Sequence, residues 1–310
     1  MWRGFARELA ARGFDVRAVL FEGHGSTPRD MLHVRAERWL EAARAELVEL
    51  DDGSPTWLGG FSMGAVVAVR LALEAARGDG PAVAGLLLVS PAFRSRLDRW
   101  LRFAGLWGRF RPWVFGGMIL EDNPTKYNSI PVNSGWQFRR AARALDGAWG
   151  RDGRVAVPAL LLHSVDDSVV DVAHTARLFD RRFVHPASRL VTFAPDPPLG
   201  DGRDVPPVPA CARCETLQSR FPAERILNQS HLGPMYAPDD PLFGRAGRTL
   251  VCNGNEWAVF SACLGAERHW YGAQHTGSPD GVPVARTTYD AGRARTLERL
   301  DAWLEASADR

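Results

Sequence analysis

Short apolar runs alternate along the first two thirds of the chain with longer segments whose apolar positions recur at helical spacing. Residues 2–12 follow the helical period, and residues 14–21 (FDVRAVLF) form a β-branched apolar run that stops at Gly23-His24-Gly25. A second amphipathic helix is predicted over 33–50, a short strand over 56–59, and an Ala/Leu/Val-rich buried helix over 65–76. The runs 82–89 (AVAGLLLV within it) and 157–163 are further strands, and 172–181 is the helix behind the second of them. Residues 188–193 are a candidate next strand. Strands that are apolar without alternation are buried on both faces, and strands separated by helices run parallel. The pattern therefore predicts an α/β chain with a mostly parallel sheet.

Two segments break the alternation. Residues 94–145 carry Trp100, Phe103, Trp107, Phe110, Trp113 and Phe115 at spacings close to one face of a helix. Such rings either pack on the core or form an apolar cap over a lipophilic pocket. The second reading is preferred, because extra helices between two sheet strands sit on top of the sheet edge. Trp107, Phe110, Trp113 and Phe115 are then the candidate substrate-binding residues. Residues 194–225 are rich in Pro, Gly and Asp and read as a long loop. The organisation expected is one core over 1–93 and 146–310, a helical cap over 94–145 and a loop insertion over 194–225.

Composition narrows this picture modestly. A chain of 310 residues with 45% hydrophobic content can bury a full core. Its 38 basic and 36 acidic residues are interspersed, for a net charge of +2, which points away from nucleic acid or an anionic membrane as partner. Lys126 is the only lysine. No apolar run approaches the ~20 residues that cross a bilayer, and the first residues carry charges throughout instead of forming a signal peptide. As written, the chain is expected in the cytoplasm without stable membrane insertion. Periplasmic or secreted placement would go with a longer N-terminus and disulfides. Cys211, Cys214, Cys252 and Cys263 leave disulfides, free thiols and a zinc site open; no metal and no cofactor is expected.

The chemistry sits in Gly60-Phe61-Ser62-Met63-Gly64. With a strand before it and a helix after it, G-x-S-x-G puts a serine on a strained corner, and small residues allow the strand and helix to approach closely. A serine hydroxyl is a weak nucleophile near neutral pH, so a histidine must accept its proton and a carboxylate must orient that histidine. Asp166 and Asp167 follow the strand at 157–163; Asp167 is preferred because Ser168-Val169-Val170 then leads directly into the next helix. Among the histidines beyond it, His174 lies in the helix just behind and His185 in the following loop. His231, after the short apolar pair Ile226-Leu227, is the preferred base, with His269 in reserve.

Gly23-His24-Gly25 with Pro28 and Asp30, Gly60-Phe61-Ser62-Met63-Gly64, and His163-Ser164 followed by Asp167 and Val169-Val170 resemble the α/β-hydrolases of the monoacylglycerol lipase and bacterial carboxylesterase type. The resemblance covers about residues 1–181. Residues 126–133, and Ser230-His231 with 238–244, are similar to a lysophospholipase-like bacterial branch. The resemblance implies the α/β-hydrolase fold, helices on both faces of the sheet, a helical cap, and hydrolysis of lipophilic carboxylic esters through an acyl-enzyme. It implies Ser62, Asp167 and His231 as the triad and the Met63 N–H as half of the oxyanion hole. The other half comes from a loop before the first helix, and this sequence opens in that helix. N-terminal strands are therefore missing by comparison, one of them central, between 14–21 and 56–59. The expectation is a natural start upstream of Met1. The rivals are a shortened, catalytically impaired binding protein, or a transacylase, thioesterase or aminopeptidase using the same triad. The oligomeric state is not legible.

Overall fold

The apolar runs condense into a five-stranded sheet, all parallel, whose spatial order is the chain order. The structure, a computed structural model, describes residues 2–114, 126–150, 153–200, 210–252, 257–274 and 276–308. Helix α1 (Arg3–Ala10) and helix α2 (Ala36–Glu49) precede strand β1 (Trp57–Phe61) and helix α3 (Met63–Ala75). Strand β2 (Gly85–Val89) is followed by α4 (Asp98–Leu101), α5 (Ala104–Phe110) and α6 (Val132–Trp149). Then come β3 (Ala159–Ser164), α7 (Val172–Arg182), β4 (Arg189–Ala194) and β5 (Cys214–Gln218). Helix α8 (Trp257–Gly265), the two-stranded pair β6 (Trp270–Gly272) and β7 (Val284–Arg286), and α9 (Arg293–Ala308) complete the chain.

Side-chain alternation along the strands decides which helices lie where. Leu86, Leu88, Leu161 and Leu190 point into one apolar layer with residues of α2, α3, α6 and α7. Their neighbours Leu87, Val89, Leu160, Leu162, Val191 and Phe193 point into the other, with Phe5 of α1 and Leu300 and Trp303 of α9. Both faces are dry, which is why these strands read as continuous apolar runs. Truncating a residue such as Leu161 to alanine costs about 2–5 kcal/mol for the lost burial and the cavity together. Charge closes the second layer: the buried Arg293 pairs with Glu8 and lies 3.9 Å over the Phe5 ring, and Arg12 pairs with Asp301. The first and last helices are thereby tied to each other.

Two expectations needed correction. Residues 14–21 are not a strand. Among the described residues β1 pairs only with β2, so the run from 14 to 21 has no ladder to join, and Leu20 is left exposed. A strand exists only by pairing, and the right pattern without a neighbour remains irregular chain. The stretch 194–225 is not wholly loop, since it contains β5, paired in parallel with β4 from Leu190↔Cys214 to Ala194↔Gln218. The four cysteines form two disulfides, Cys211–Cys214 and Cys252–Cys263. Helix α6, expected to mark the end of a cap, contributes Leu145, Ala148 and Trp149 to the first core layer.

Candidate active site

Ser62 stands between β1 and α3 with φ 54° and ψ −117°, a left-handed conformation that costs a serine of order 1–3 kcal/mol. Its surroundings hold it there. The Ser62 N–H donates to the Val89 carbonyl of β2 at 3.0 Å, and its carbonyl accepts from Ala92 N–H at 3.1 Å. The two glycines of the motif are not equivalent: a Cβ on Gly60 would lie 2.4 Å from the Ala65 backbone, whereas one on Gly64 would meet nothing within 4 Å. Close approach of strand and helix therefore demands glycine at 60 but not at 64. Met63 opens α3, so its N–H has no partner within the helix.

Asp167 and His231 converge on this serine from two other loops. His231 Nδ1–H donates to Asp167 Oδ2 at 2.6 Å, and Ser62 Oγ–H is 3.0 Å from His231 Nε2. The carboxylate fixes the tautomer, because the ring nitrogen that faces it must carry the proton. Asp167 is fully buried and accepts four hydrogen bonds: Oδ1 takes the N–H groups of Val169 (2.8 Å) and Val170 (3.1 Å), and Oδ2 takes His231 and His163 Nε2–H (3.2 Å). Burial acts to raise its pKa, but His231 and then His163 outweigh it, so the carboxyl is held well below its ordinary range. Asp166, the neighbouring candidate, has its N–H held by Ser164 Oγ at 3.1 Å. His269, the reserve base, donates its Nε2–H to the Cys263 carbonyl at 2.6 Å instead. His174 sits on α7 and meets Asp171 through its backbone N–H.

The loop carrying His231 is gripped from three sides by hydroxyls. Ser90 Oγ donates to the His231 carbonyl at 2.9 Å, Ser164 Oγ to the Gln229 carbonyl at 2.6 Å, and Thr287 Oγ1 to the Asn228 carbonyl at 2.6 Å. Ser230 Oγ returns a bond to the Thr287 carbonyl at 2.6 Å. The Phe61 ring lies 5.1 Å from the His231 ring and supports it from the strand side. Ser90 itself has φ 44°, so two of the three non-glycine residues with positive φ among those described flank this site.

The profile of the serine aminopeptidase family S33 matches residues 2–130. A structure of the metagenome-derived lipolytic enzymes LipS and LipT superposes with a TM-score of 0.51 at 21% identity, over 60% of this chain and 75% of that one. The chain has the α/β-hydrolase fold. The monoacylglycerol lipase of Paleococcus ferrophilus aligns at 21% identity over 61% of this chain and 76% of its own, with a TM-score of 0.47. No curated protein sequence matches.

Within this α/β-hydrolase fold the sheet explains why the three side chains meet. β1 and β3 are parallel and end at the same edge, so the residues just past them, Ser62 and Asp167, lie at one end. The aromatic residues expected around the substrate are placed differently. Trp107 and Phe110 are 61% and 78% exposed, Trp113 is partly buried and bridges Pro131, and Phe115 lies outside the described residues. Sequence reasoning used His163-Ser164 only as part of the family motif and gave no role to either, nor to Ser90 and Thr287. His163 alone left a signal: a histidine four residues before the acid, inside an otherwise apolar strand.

Proposed function

We propose that the protein is a serine hydrolase of carboxylic esters with lipophilic acyl groups. One observation carries the reading: a strained serine hydrogen-bonded through His231 to a fully buried carboxylate, at 3.0 and 2.6 Å. In this reading Ser62 Oγ attacks the ester carbonyl as His231 Nε2 takes its proton, and Asp167 stabilises the imidazolium. The carbonyl oxygen, now an oxyanion, accepts the N–H of Met63. Collapse expels the alcohol with the proton from His231, leaving the acyl group on Ser62. Water, deprotonated by His231, then releases the acid and restores the serine.

His163 acts on this set through Asp167. Both imidazoles donate to the same Oδ2, so His163 holds the acid in the orientation His231 needs; its own Nδ1 is buried without a hydrogen-bond partner. Trp113 is the aromatic residue we assign to the acyl chain. The S33 profile and the lipolytic fold neighbours support hydrolysis in general terms, and the aminopeptidase description of the profile makes amide substrates the rival.

Labelling by a fluorophosphonate probe, lost in Ser62→Ala, tests the nucleophile. A p-nitrophenyl ester series tests the substrate, with kcat/KM expected to rise from acetate to octanoate. Faster turnover of aminoacyl p-nitroanilides than of any ester would overturn the ester reading.

A further inference from the structure

The C-x-x-C motif at 211–214 takes no part in the ester chemistry. Its two cysteines are joined, as are Cys252 and Cys263, but the two bridges are placed differently. Cys252 and Cys263 are 3% and 1% exposed and share an apolar cluster with Phe260 and Ala285. They tie α8 to β7, because Cys263 lies on the helix and Cys252 bridges Ala285. A thiol in solution reaches such a bridge only through local opening of the chain. Cys211 and Cys214 lie in the connection from β4 to β5, packed against the first core layer but only partly buried. Partial exposure is what an attacking thiolate needs.

Ring size separates the bridges further. The cysteines of one are eleven residues apart and those of the other three, and the chain entropy that a cross-link removes from the unfolded state falls with the length of the loop it closes. A bridge across a single turn is therefore a weak staple. The turn is also held without it. Cys214 N–H donates to the Cys211 carbonyl at 3.1 Å, Leu190 N–H of β4 donates to the Arg213 carbonyl at 3.0 Å, and β5 is paired with β4 from Cys214 onward. The Arg213 guanidinium donates to the carbonyls of Phe183 and His185 and lies 4.7 Å over the Phe179 ring. None of these contacts uses the S–S bond, so the two sulfurs stay within reach of each other whether or not it is formed.

We infer that Cys211–Cys214 is a thiol–disulfide exchange site whose substrate is a dithiol. A thiolate of the dithiol attacks one Sγ of the bridge, the S–S electron pair leaves on the other Sγ, which takes up a proton, and a mixed disulfide forms. The second thiol of the same molecule then attacks its own sulfur in that mixed disulfide, and the remaining cysteine leaves and is protonated. The dithiol ends as a disulfide and the cysteine pair as two thiols, so two electrons and two protons have passed to the protein. Arg213, the cation inside the ring, favours departure of the cysteine as a thiolate. The site is separate from the serine elbow. Cys214 opens β5, whereas Ser62 and Asp167 follow the ends of β1 and β3, so in a parallel sheet the two lie at opposite edges.

The full chain, held without denaturant in about 1 mM dithiothreitol and quenched at intervals with N-ethylmaleimide, reports each cysteine by peptide mass spectrometry. Cys211 and Cys214 are expected to be alkylated about tenfold or more faster than Cys252 and Cys263, and the difference should vanish in denaturant. Oxidised glutathione, added after the dithiothreitol is removed, should restore the bridge. In Cys214→Ser it should instead leave one glutathione on Cys211, the mixed disulfide of the first step. Cys211→Ser/Cys214→Ser should keep the wild-type circular dichroism spectrum and a melting temperature within about 5 °C of the wild type. The proposal is overturned if both bridges open at one rate in the native protein, or if neither opens before the chain unfolds. It is equally overturned if the double variant does not fold, which would make the bridge a staple, or if the reduced pair retains zinc through dialysis and is thereby shielded from N-ethylmaleimide. None of these readouts depends on ester hydrolysis.

Discussion

The loops that hold Asp167 and His231 are tied by hydrogen bonds to several separate elements, whereas the face of α4 and α5 leaves six large apolar side chains in water. The first region is fixed by directional bonds of 2.6–3.1 Å to atoms on separate elements, such as Ser90, Ser164 and Thr287. The second is held from behind, by small residues seated on α6 and by Asp98 paired with Arg139 and Arg143. The contrast teaches how tolerance is divided. Proton transfer fails when a group shifts by an ångström, so its residues are over-determined. Apolar contact scales with area and tolerates variation, so helices seated mainly by it need fewer directional bonds.

If the division holds, substitutions in the two regions should be separable. The largest effect is expected for Ser62→Ala, which should lower ester turnover by about 10⁴-fold or more without changing the melting temperature. Asp167→Asn comes next, with a fall in kcat of about 10³–10⁴-fold and little change in KM, measured on a soluble ester. No substitution on the exposed face should approach either loss, and one that did would erase the comparison. His163→Ala should lower kcat about tenfold at nearly constant KM, because Oδ2 of Asp167 loses one of its two imidazole donors. His163→Gln, which can still donate, should recover part of that loss; equal kcat in both variants would reduce His163 to packing.

Smaller effects probe the scaffold of the first region. Thr287→Val leaves the Asn228 carbonyl without its hydroxyl and should cost about 1–3 kcal/mol of stability, while Thr287→Ser should cost much less. Denaturant unfolding distinguishes them. The last test concerns pH. Burial, and then Arg94, lower the pKa of His174 to about 4. The unfolded chain therefore takes up a proton there, near pH 6.5, that the folded chain refuses until about pH 4. Stability should fall as pH drops through that window and should be insensitive to this group above it. His174→Asn should flatten the slope in thermal unfolding between those limits.

Much of the candidate site and the sheet beneath it was legible in one dimension. β2 and the Ala159–Leu162 part of β3 are continuous apolar runs, because both strands are buried on both faces, and the elbow at Ser62 is encoded by consecutive residues. β5 escaped because CETLQ is polar and its flanks are rich in Pro and Gly, as suits the last strand of a sheet. Residues 14–21 misled for the opposite reason, since pattern predicts a face to bury but not a partner to pair with. His163 could be seen as a histidine in a strand, yet nothing local said which carboxylate it would meet. The outward direction of Trp107 and Phe110 was equally hidden: helical spacing places residues on one face without saying whether that face looks in or out.

The sequence by itself determined the order of strands and helices, the strained serine and the residues able to serve it, because those depend on periodicity and on neighbours along the chain. Only the tertiary structure decided that Asp167 and not Asp166 meets His231, that His163 shares its oxygen, which cysteines pair, and that the aromatic face of α4 and α5 looks outward. Those outcomes depend on distances between residues far apart in sequence, and such distances exist only once the sheet has brought the ends of its strands to one edge.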